Sequence, residues 1–219
     1  MVKKVLIFGG SGGLAKKLIT DFLVLDYEVS VVTRMQNKTT ENKGMFSIFY
    51  VDKKYSEFNP EVFYDIIIFT QCLFDPCELV GINEERIVLE FDVGLIQPIL
   101  LTKRFLQLSH TCTRQDICFI GSTSAYSGFK KTSTYCAVKH GLLGFVRAMN
   151  VEYNDSNKRF WLFSMGSMNT SMGRKVLGQD VATFLDPANV SQRIVSSLIS
   201  QSNMFEPEVL IKRRNVRFI

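Results

Sequence analysis

Val5-Leu6-Ile7-Phe8-Gly9-Gly10-Ser11-Gly12-Gly13-Leu14-Ala15, near the start of the sequence, decides the fold. The apolar run at residues 2–8 is bounded by glycines, as is typical of a buried parallel strand. Apolar side chains then recur at helical spacing over residues 13–25. The glycines between them allow a tight turn, and the unpaired N–H groups at the start of the helix suit a pyrophosphate. The stretch therefore predicts a strand, a phosphate-binding turn and a helix, with a purely structural turn as the alternative.

The rest of the sequence alternates between strand-like and helix-like segments. Six further strands are predicted at residues 28–33, 45–51, 65–70, 116–121, 159–165 and 208–213. Three further helices are predicted at residues 84–110, 132–153 and 187–200. This alternation predicts an α/β protein with a doubly wound parallel sheet, the Rossmann fold. We expect residues 1–219 to form one nucleotide-binding domain, with a mobile substrate loop at about residues 166–186.

The composition argues against several classes of protein. The 219 residues are 46% hydrophobic, with 26 basic and 21 acidic side chains and a net charge of +5. No apolar run reaches the roughly 18 residues that span a bilayer, and no signal-peptide pattern is present. Five cysteines without a Cys-x-x-Cys pair, with only two histidines, are poor material for a metal site. We expect a globular cytoplasmic protein with free thiols, no metal, and no membrane or nucleic-acid partner.

A basic cluster, Lys212-Arg213-Arg214 with Arg217, lies at the end of the sequence. We interpret it as a solvated terminus, with nucleic-acid binding as the alternative.

The end of the second predicted strand bears on the choice of cofactor. In dinucleotide-binding folds, an acidic residue about 20 positions beyond the glycines accepts hydrogen bonds from the adenine ribose. Here that position is Thr33, followed by Arg34, and no carboxylate is present. An arginine can instead pair with the 2′-phosphate that distinguishes NADP. The sequence therefore favours NADP(H) over NAD(H), and a surface arginine without a ligand is the alternative.

Three Tyr-x-x-x-Lys matches occur, beginning at Tyr50, Tyr126 and Tyr135. Only Tyr135 lies inside a predicted helix, where side chains at i and i+4 are neighbours, so it meets Lys139. A nearby ammonium favours the phenolate, and we expect Lys139 to lower the pKa of Tyr135 from about 10. Tyr135 can then donate a proton to a carbonyl oxygen. Ser122, expected at the carboxyl end of its strand, is placed to hold the same oxygen.

These motifs together resemble the short-chain dehydrogenase/reductase superfamily, over residues 2 to about 172. The glycine turn of that family is matched by Gly9 and Gly13, with Ala15 in place of its third glycine. Its Pro-Gly segment after the sixth strand has Met165 in place of the proline and keeps Thr170. The implied catalytic residues are Ser122, Tyr135 and Lys139. The implied cofactor-binding residues are Gly9, Ser11, Gly12, Gly13, Leu14, Thr33, Arg34, Asp52, Thr70, Tyr135, Lys139, Met168 and Thr170.

The resemblance implies an oxidoreductase that uses NADPH to reduce the carbonyl group of a small molecule to an alcohol. It also implies a homodimer or homotetramer formed through the two long helices.

Two further departures from the pattern of that family bear on catalysis. Its Asn-Asn-Ala-Gly segment is replaced by Thr70-Gln71-Cys72-Leu73, and its active-site asparagine is replaced by Gly94. Glycine lacks the amide that orders a water for proton resupply, although an extra water can occupy the space. These departures motivate an alternative function, in which a catalytically impaired member of the family acts as a dinucleotide sensor or binds a partner.

Overall fold

The computed structural model describes residues 2–34, 41–108, 113–176, 178–201 and 204–214. Within these ranges the strands are β1 (Lys4–Phe8), β2 (Glu28–Arg34), β3 (Glu41–Lys43), β4 (Phe46–Val51), β5 (Ile66–Phe69), β6 (Gln115–Ile120), β7 (Lys158–Met165) and β8 (Glu208–Ile211). The α-helices are α1 (Gly13–Val24), α2 (Glu84–Phe91), α3 (Gln97–Leu108), α4 (Ser133–Glu152) and α5 (Pro187–Ile199). No helix in these ranges combines the length with the apolar composition that crossing a membrane requires.

The eight strands form one sheet in the order β3-β4-β2-β1-β5-β6-β7-β8. Neighbouring strands are parallel, except that β3 runs antiparallel to β4. The chain adds strands outward from β1 in both directions, so the winding reverses between β1 and β5. Ligands of open α/β sheets bind at the carboxyl ends of the strands beside such a reversal. The predicted doubly wound parallel sheet is confirmed.

Strand β1 shows how the two faces of the sheet are covered. Leu6 and Phe8 pack into the layer that contains α3 and α4, whereas Val5 and Ile7 pack into the layer that contains α1 and α5. Side chains alternate between faces along a strand, and all four of these are fully buried. Because neither face meets water, the strand reads as a continuous apolar run rather than as an alternation.

Two local features differ from the sequence-based predictions. Strand β3 is absent from those predictions, because its charged and polar residues show no apolar alternation. The helix predicted at residues 84–110 is instead two helices joined by a π-helical segment, Asp92–Ile96, and residues 109–110 lie outside the described part. Pro98 has no N–H to donate to the carbonyl of Gly94 four residues earlier, which explains why the α-helical pattern breaks here.

Candidate active site

A cleft of about 660 Å³ lies at the carboxyl edge of the sheet. Its walls are the start of α1, the segments that follow β5 and β6, the amino end of α4, and the loop that follows β7. Of the predicted site residues, the cleft is lined by Gly13, Leu14, Thr70, Ser122, Tyr135, Lys139, Met168 and Thr170. The remaining ones, Gly9, Ser11, Gly12, Thr33, Arg34 and Asp52, are not among its lining residues.

The glycine turn is fixed to the strands on both sides of β1. The Gly9 N–H donates to the Val32 carbonyl at 3.0 Å, and the Thr70 hydroxyl donates to the Phe8 carbonyl at 2.6 Å. Gly9 has a φ of +85°, and a Cβ at this position would lie 2.8 Å from Thr70 Oγ1 and 2.9 Å from the Gln71 nitrogen. Only glycine therefore fits at this position.

The start of α1 has the donors that a pyrophosphate requires. The first N–H groups of a helix have no partner within the helix, and no acidic side chain lies in the first turn of α1. A Cβ on Gly13 would lie 2.8 Å from Thr170 Cγ2, so the loop after β7 reaches over this helix end. Thr170 is held there because its Oγ1 accepts a hydrogen bond from the Gly173 N–H at 3.0 Å. The donors and the space between these two segments fit a diphosphate group.

The ends of β2 and β4 bring two predicted cofactor residues to one edge, outside the cleft. Arg34 pairs in register with Val51, so Asp52 follows immediately beside it. Arg34 is exposed, and its guanidinium carbon lies 5.4 Å from the centroid of the Tyr55 ring. Burial raises the pKa of Tyr55, and the neighbouring Arg34 opposes that rise. No acidic residue stands at the end of β2, which suits a phosphate better than a ribose diol.

Ser122, Tyr135 and Lys139 come together at the centre of the cleft. Ser122 follows β6, and its side chain lines the cleft together with Tyr135 while accepting a hydrogen bond from the Ser124 N–H at 3.1 Å. Lys139, one helical turn beyond Tyr135, is 2% exposed and has its Nζ 5.5 Å from the centroid of the Tyr135 ring. The lysine donates to the Ile120 carbonyl at 2.7 Å. The predicted pairing of Tyr135 with Lys139 on one helix face is therefore observed.

The expected direction of the Tyr135 pKa shift is wrong for this arrangement. Burial raises the pKa of Tyr135, the Cys72 thiol adds to the rise, and the hydrogen bond with Ser122 opposes it. The Lys139 ammonium, which donates to the Ile120 carbonyl, does not outweigh the effect of burial on the pKa of Tyr135. Tyr135 therefore remains protonated at neutral pH, the state of a proton donor.

The space beside Gly94 is filled by a side chain, so the room that an extra water could have taken in place of the missing amide is occupied there. A Cβ on Gly94 would lie 2.6 Å from Val138 Cγ1 and 4.0 Å from the Cys72 sulfur. Val138 is 1% exposed and stands between Tyr135 and Lys139 on α4. The sequence analysis did not predict that Val138 fills the space beside Gly94. The available signal was a β-branched residue located between Tyr135 and Lys139 on the same helix.

Glu90 is a second residue that sequence reasoning missed. It is 4% exposed, and its Oε2 accepts a hydrogen bond from the Thr134 hydroxyl at 2.6 Å. Its other oxygen pairs with Arg86 at 3.0 Å. By its sequence position Thr134 is a plausible cap of α4, but its hydroxyl joins α4 to α2 immediately before Tyr135. The available signal was the position of Glu90, an acidic residue within the otherwise apolar run at residues 87–91 of α2.

The loop after β7 is folded upon itself against the cleft. Met168 and Leu185 form an isolated parallel bridge, and the Leu185 N–H donates to the Ser167 carbonyl at 2.9 Å. A Cβ on Gly173 would lie 1.9 Å from the Met168 carbonyl oxygen, so only glycine allows this approach. Met168, Thr170 and Gly173 all line the cleft.

The basic cluster near the end of the sequence is not uniformly solvated. Lys212 and Arg214 are exposed, as expected, but Arg213 is only 9% exposed and lines the cleft. Arg217 lies outside the described residues. The interpretation of the whole cluster as a solvated terminus is therefore wrong at Arg213.

Comparisons with known proteins agree with this geometry. Residues 75–180 match the family model described as short chain dehydrogenase. A sepiapterin reductase of Chlorobaculum tepidum is 25% identical over 134 residues, which cover 61% of this chain and 55% of that protein. The match thus spans about half the length of this curated relative.

Solved structures of similar fold cover nearly the whole chain. ElxO with NADP bound superposes with a TM-score of 0.81 at 19% identity, over 96% of this chain and 97% of that one. A short-chain dehydrogenase of Shigella flexneri complexed with NADP has a TM-score of 0.81 at 16% identity, over 95% and 96% of the two chains. Nearly half of the chain, residues 75–180, is thus similar to the short chain dehydrogenase model, and the fold of the chain is that of these solved structures.

Proposed function

We propose that this protein is an NADPH-dependent oxidoreductase that reduces a carbonyl group of a small molecule to an alcohol. The observation that carries the proposal is the grouping of Ser122, Tyr135 and Lys139, with Lys139 Nζ 5.5 Å from the centroid of the Tyr135 ring, in a cleft that adjoins the glycine turn. Two solved structures of the same fold, ElxO and the Shigella flexneri protein, have NADP bound and support this choice of cofactor.

The residues available for the cofactor fit a phosphorylated dinucleotide. The glycine turn and the start of α1, with Gly9, Ser11, Gly12, Gly13 and Leu14, would hold the pyrophosphate. Thr33, Arg34 and Asp52 would hold the adenosine end, where the arginine pairs with the 2′-phosphate. Thr70, Met168, Thr170, Tyr135 and Lys139 would hold the nicotinamide riboside. When bound, NADPH supplies a hydride to the substrate carbon.

The protein itself orients the carbonyl group and supplies a proton. The Ser122 hydroxyl and the Tyr135 phenol both line the cleft and would both face the carbonyl oxygen of a substrate there. Because burial raises its pKa, Tyr135 holds its proton until negative charge develops on that oxygen. The loop at residues 166–186 is proposed to open for substrate and to exclude water when it is closed.

Tyr135→Phe tests the proposal. We expect turnover, followed as loss of NADPH absorbance with a panel of aldehydes and ketones, to fall by about 10²-fold or more. The affinity for NADPH, measured by calorimetry, should change by no more than about twofold. Tyr126→Phe is the matched control, since Tyr126 begins another Tyr-x-x-x-Lys match but bonds to the distant Glu208. Equal turnover in Tyr135→Phe and wild type would refute the proposal.

A second candidate function is a dinucleotide sensor that has lost turnover. Val138 favours it, since the side chain fills the space beside Gly94 from which an asparagine would order water. A sensor predicts that NADPH raises the melting temperature of the protein while no carbonyl compound is reduced. Catalytic consumption of NADPH by the wild type, abolished in Tyr135→Phe, excludes it.

Assembly through the long helices is also proposed. Val88, Leu89, Ile96 and Leu100 on or between α2 and α3 are exposed, as is Val151 on α4. Such apolar surface is suited to contact with a second copy of the chain. Sedimentation of the purified protein should then show a homodimer or homotetramer, and a monomer at micromolar concentration would contradict this.

A further inference from the structure

The charge on the walls of the cleft is entirely positive. The charged side chains that line it within the described part of the chain are Lys130, Lys131, Lys139 and Arg213, without a carboxylate among them. Two of these side chains already have partners. Lys139 donates a hydrogen bond to the Ile120 carbonyl, and Lys131 forms an ion pair with Glu78 at 3.4 Å. Of the other two, Lys130 is exposed at the mouth, whereas Arg213 is nine-tenths buried.

Arg213 has spare hydrogen-bond donors and neutral partners. Its Nη1 donates to Thr183 Oγ1 at 2.8 Å, and its Nη2 donates to Gln179 Oε1 at 2.7 Å. Its Nε is buried without a partner among the described residues. A guanidinium carries five N–H donors, so the two contacts leave most of its capacity unused. The guanidinium carbon also lies 5.3 Å from the centroid of the Phe184 ring.

A buried cation without a counter-ion is unfavourable. Burial lowers the pKa of Arg213 because the charged form loses hydration, and no acidic residue of the described chain forms an ion pair with it. An anion from the cleft would offset this cost. The Ser167 hydroxyl donates its one hydrogen to the same Gln179 oxygen at 2.9 Å, so the donors left for an anion here are those of Arg213.

We propose that Arg213 binds an anionic group of the substrate, so that the substrate is an oxo acid, a carbonyl compound that also carries a carboxylate. The planar fork of an arginine matches the two oxygens of a carboxylate. Phe74, whose ring lies 4.8 Å from that of Tyr135, supplies an apolar wall for the body of the molecule between its two polar ends. This inference rests on the proposed carbonyl reduction, since it names the class of compound reduced.

The test compares two aldehydes of the same shape and different charge, 4-carboxybenzaldehyde and 4-methylbenzaldehyde, with NADPH as the reductant. Wild-type kcat/KM should be about 10- to 100-fold higher for the carboxylate, as expected when a hydrogen bond to a charged group forms. Arg213→Gln should remove this preference, and Arg213→Lys should restore part of it. The matched control is Arg214→Gln, which removes the same charge from an exposed neighbour and should keep the preference.

Each other outcome has a distinct meaning. Equal kcat/KM for the two aldehydes in the wild type overturns the inference, whether or not Arg213→Gln folds. An equal loss for both aldehydes in Arg213→Gln overturns it too, because Arg213 then only anchors the loop. A weakened affinity for NADPH with an unchanged preference identifies a cofactor phosphate, not the substrate, as the anion, and also overturns it.

Failure of the proposed function gives a different result. If wild type reduces neither these two aldehydes nor any member of the panel of aldehydes and ketones, carbonyl reduction is refuted, and Arg213 is judged by binding alone. In that case 4-(hydroxymethyl)benzoate should raise the melting temperature of wild type and of Arg214→Gln, but not that of Arg213→Gln. The absence of a shift in the wild type would overturn the anion site as well.

Discussion

The contact between Gly94 and Val138 predicts strong energetic coupling between the two positions. Gly94→Ala places a methyl carbon 2.6 Å from Val138 Cγ1, far inside van der Waals contact. Overpacking of this kind costs about 1–3 kcal/mol, and the gain in helix propensity returns about 1 kcal/mol. We therefore expect a net loss of about 0–2 kcal/mol in the free energy of unfolding.

Val138→Ala has the opposite defect. Removing two buried methyl groups at about 0.8 kcal/mol each, with a small cavity left behind, should cost about 2 kcal/mol. In the double variant the methyl group at position 94 enters the vacated space, so both defects are relieved together. The double variant should lose only about 1 kcal/mol, where simple addition of the two single effects gives about 2–4 kcal/mol.

Urea unfolding of the four proteins measures this coupling. For a chain of this size, each kcal/mol corresponds to about 2–4 °C in melting temperature, which gives a second readout. Gly144→Ala is the matched control, because Gly144 is an exposed helical glycine whose added methyl group would meet nothing within 4 Å, and it should be neutral or slightly stabilising. If the two single effects add within about 0.5 kcal/mol, the described packing is wrong.

Three further predictions concern charge. Arg34→Ser should weaken NADPH binding about tenfold or more and leave NADH binding unchanged, as measured by calorimetry. Lys43→Ser, at an exposed position, is the control. An equal effect of Arg34→Ser on both cofactors would refute the pairing of Arg34 with the 2′-phosphate. Asp116→Asn should lower the free energy of unfolding, measured in urea, by about 3–5 kcal/mol, because this carboxylate is 2% exposed and bonds two arginines and an indole. The control is Asp75→Asn, which removes a carboxylate from an exposed ion pair and should cost about 1 kcal/mol or less. Because the pKa of Tyr135 is raised, its phenolate should not form below pH 10.0, the ordinary pKa of a tyrosine. Ultraviolet titration of wild type and Tyr135→Phe measures this. A phenolate signal below pH 10.0 that is present in wild type and absent in Tyr135→Phe would contradict the prediction.

The elements predicted correctly are those set by local sequence. β1 could be predicted because both of its faces are buried and its sequence is continuously apolar. The pairing of Tyr135 with Lys139 could be predicted because helical spacing alone brings them together. Ser122 could be placed because it follows a strand whose carboxyl end meets the cleft.

The features that were missed depend on contacts between distant segments. The direction of the Tyr135 pKa shift depends on burial and on Cys72, which lies far from it in the sequence. The burial of Arg213 depends on the loop that carries Thr183 and Gln179, and a run of basic residues does not reveal it. The β3 hairpin depends on pairing with β4, since its own sequence has no strand pattern.

Strand β3 has a consequence for how the sheet can grow. It covers the open edge of β4 with three residues, of which Glu41 and Lys43 are charged, and short charged strands are poor templates for further pairing. The opposite edge of the sheet, β8, has no such cover within the described chain. A fibre of sheets joined edge to edge needs two open edges in every molecule. A molecule with one open edge can only form a closed pair. The hairpin thus limits growth of the sheet at this edge, in the direction perpendicular to its strands.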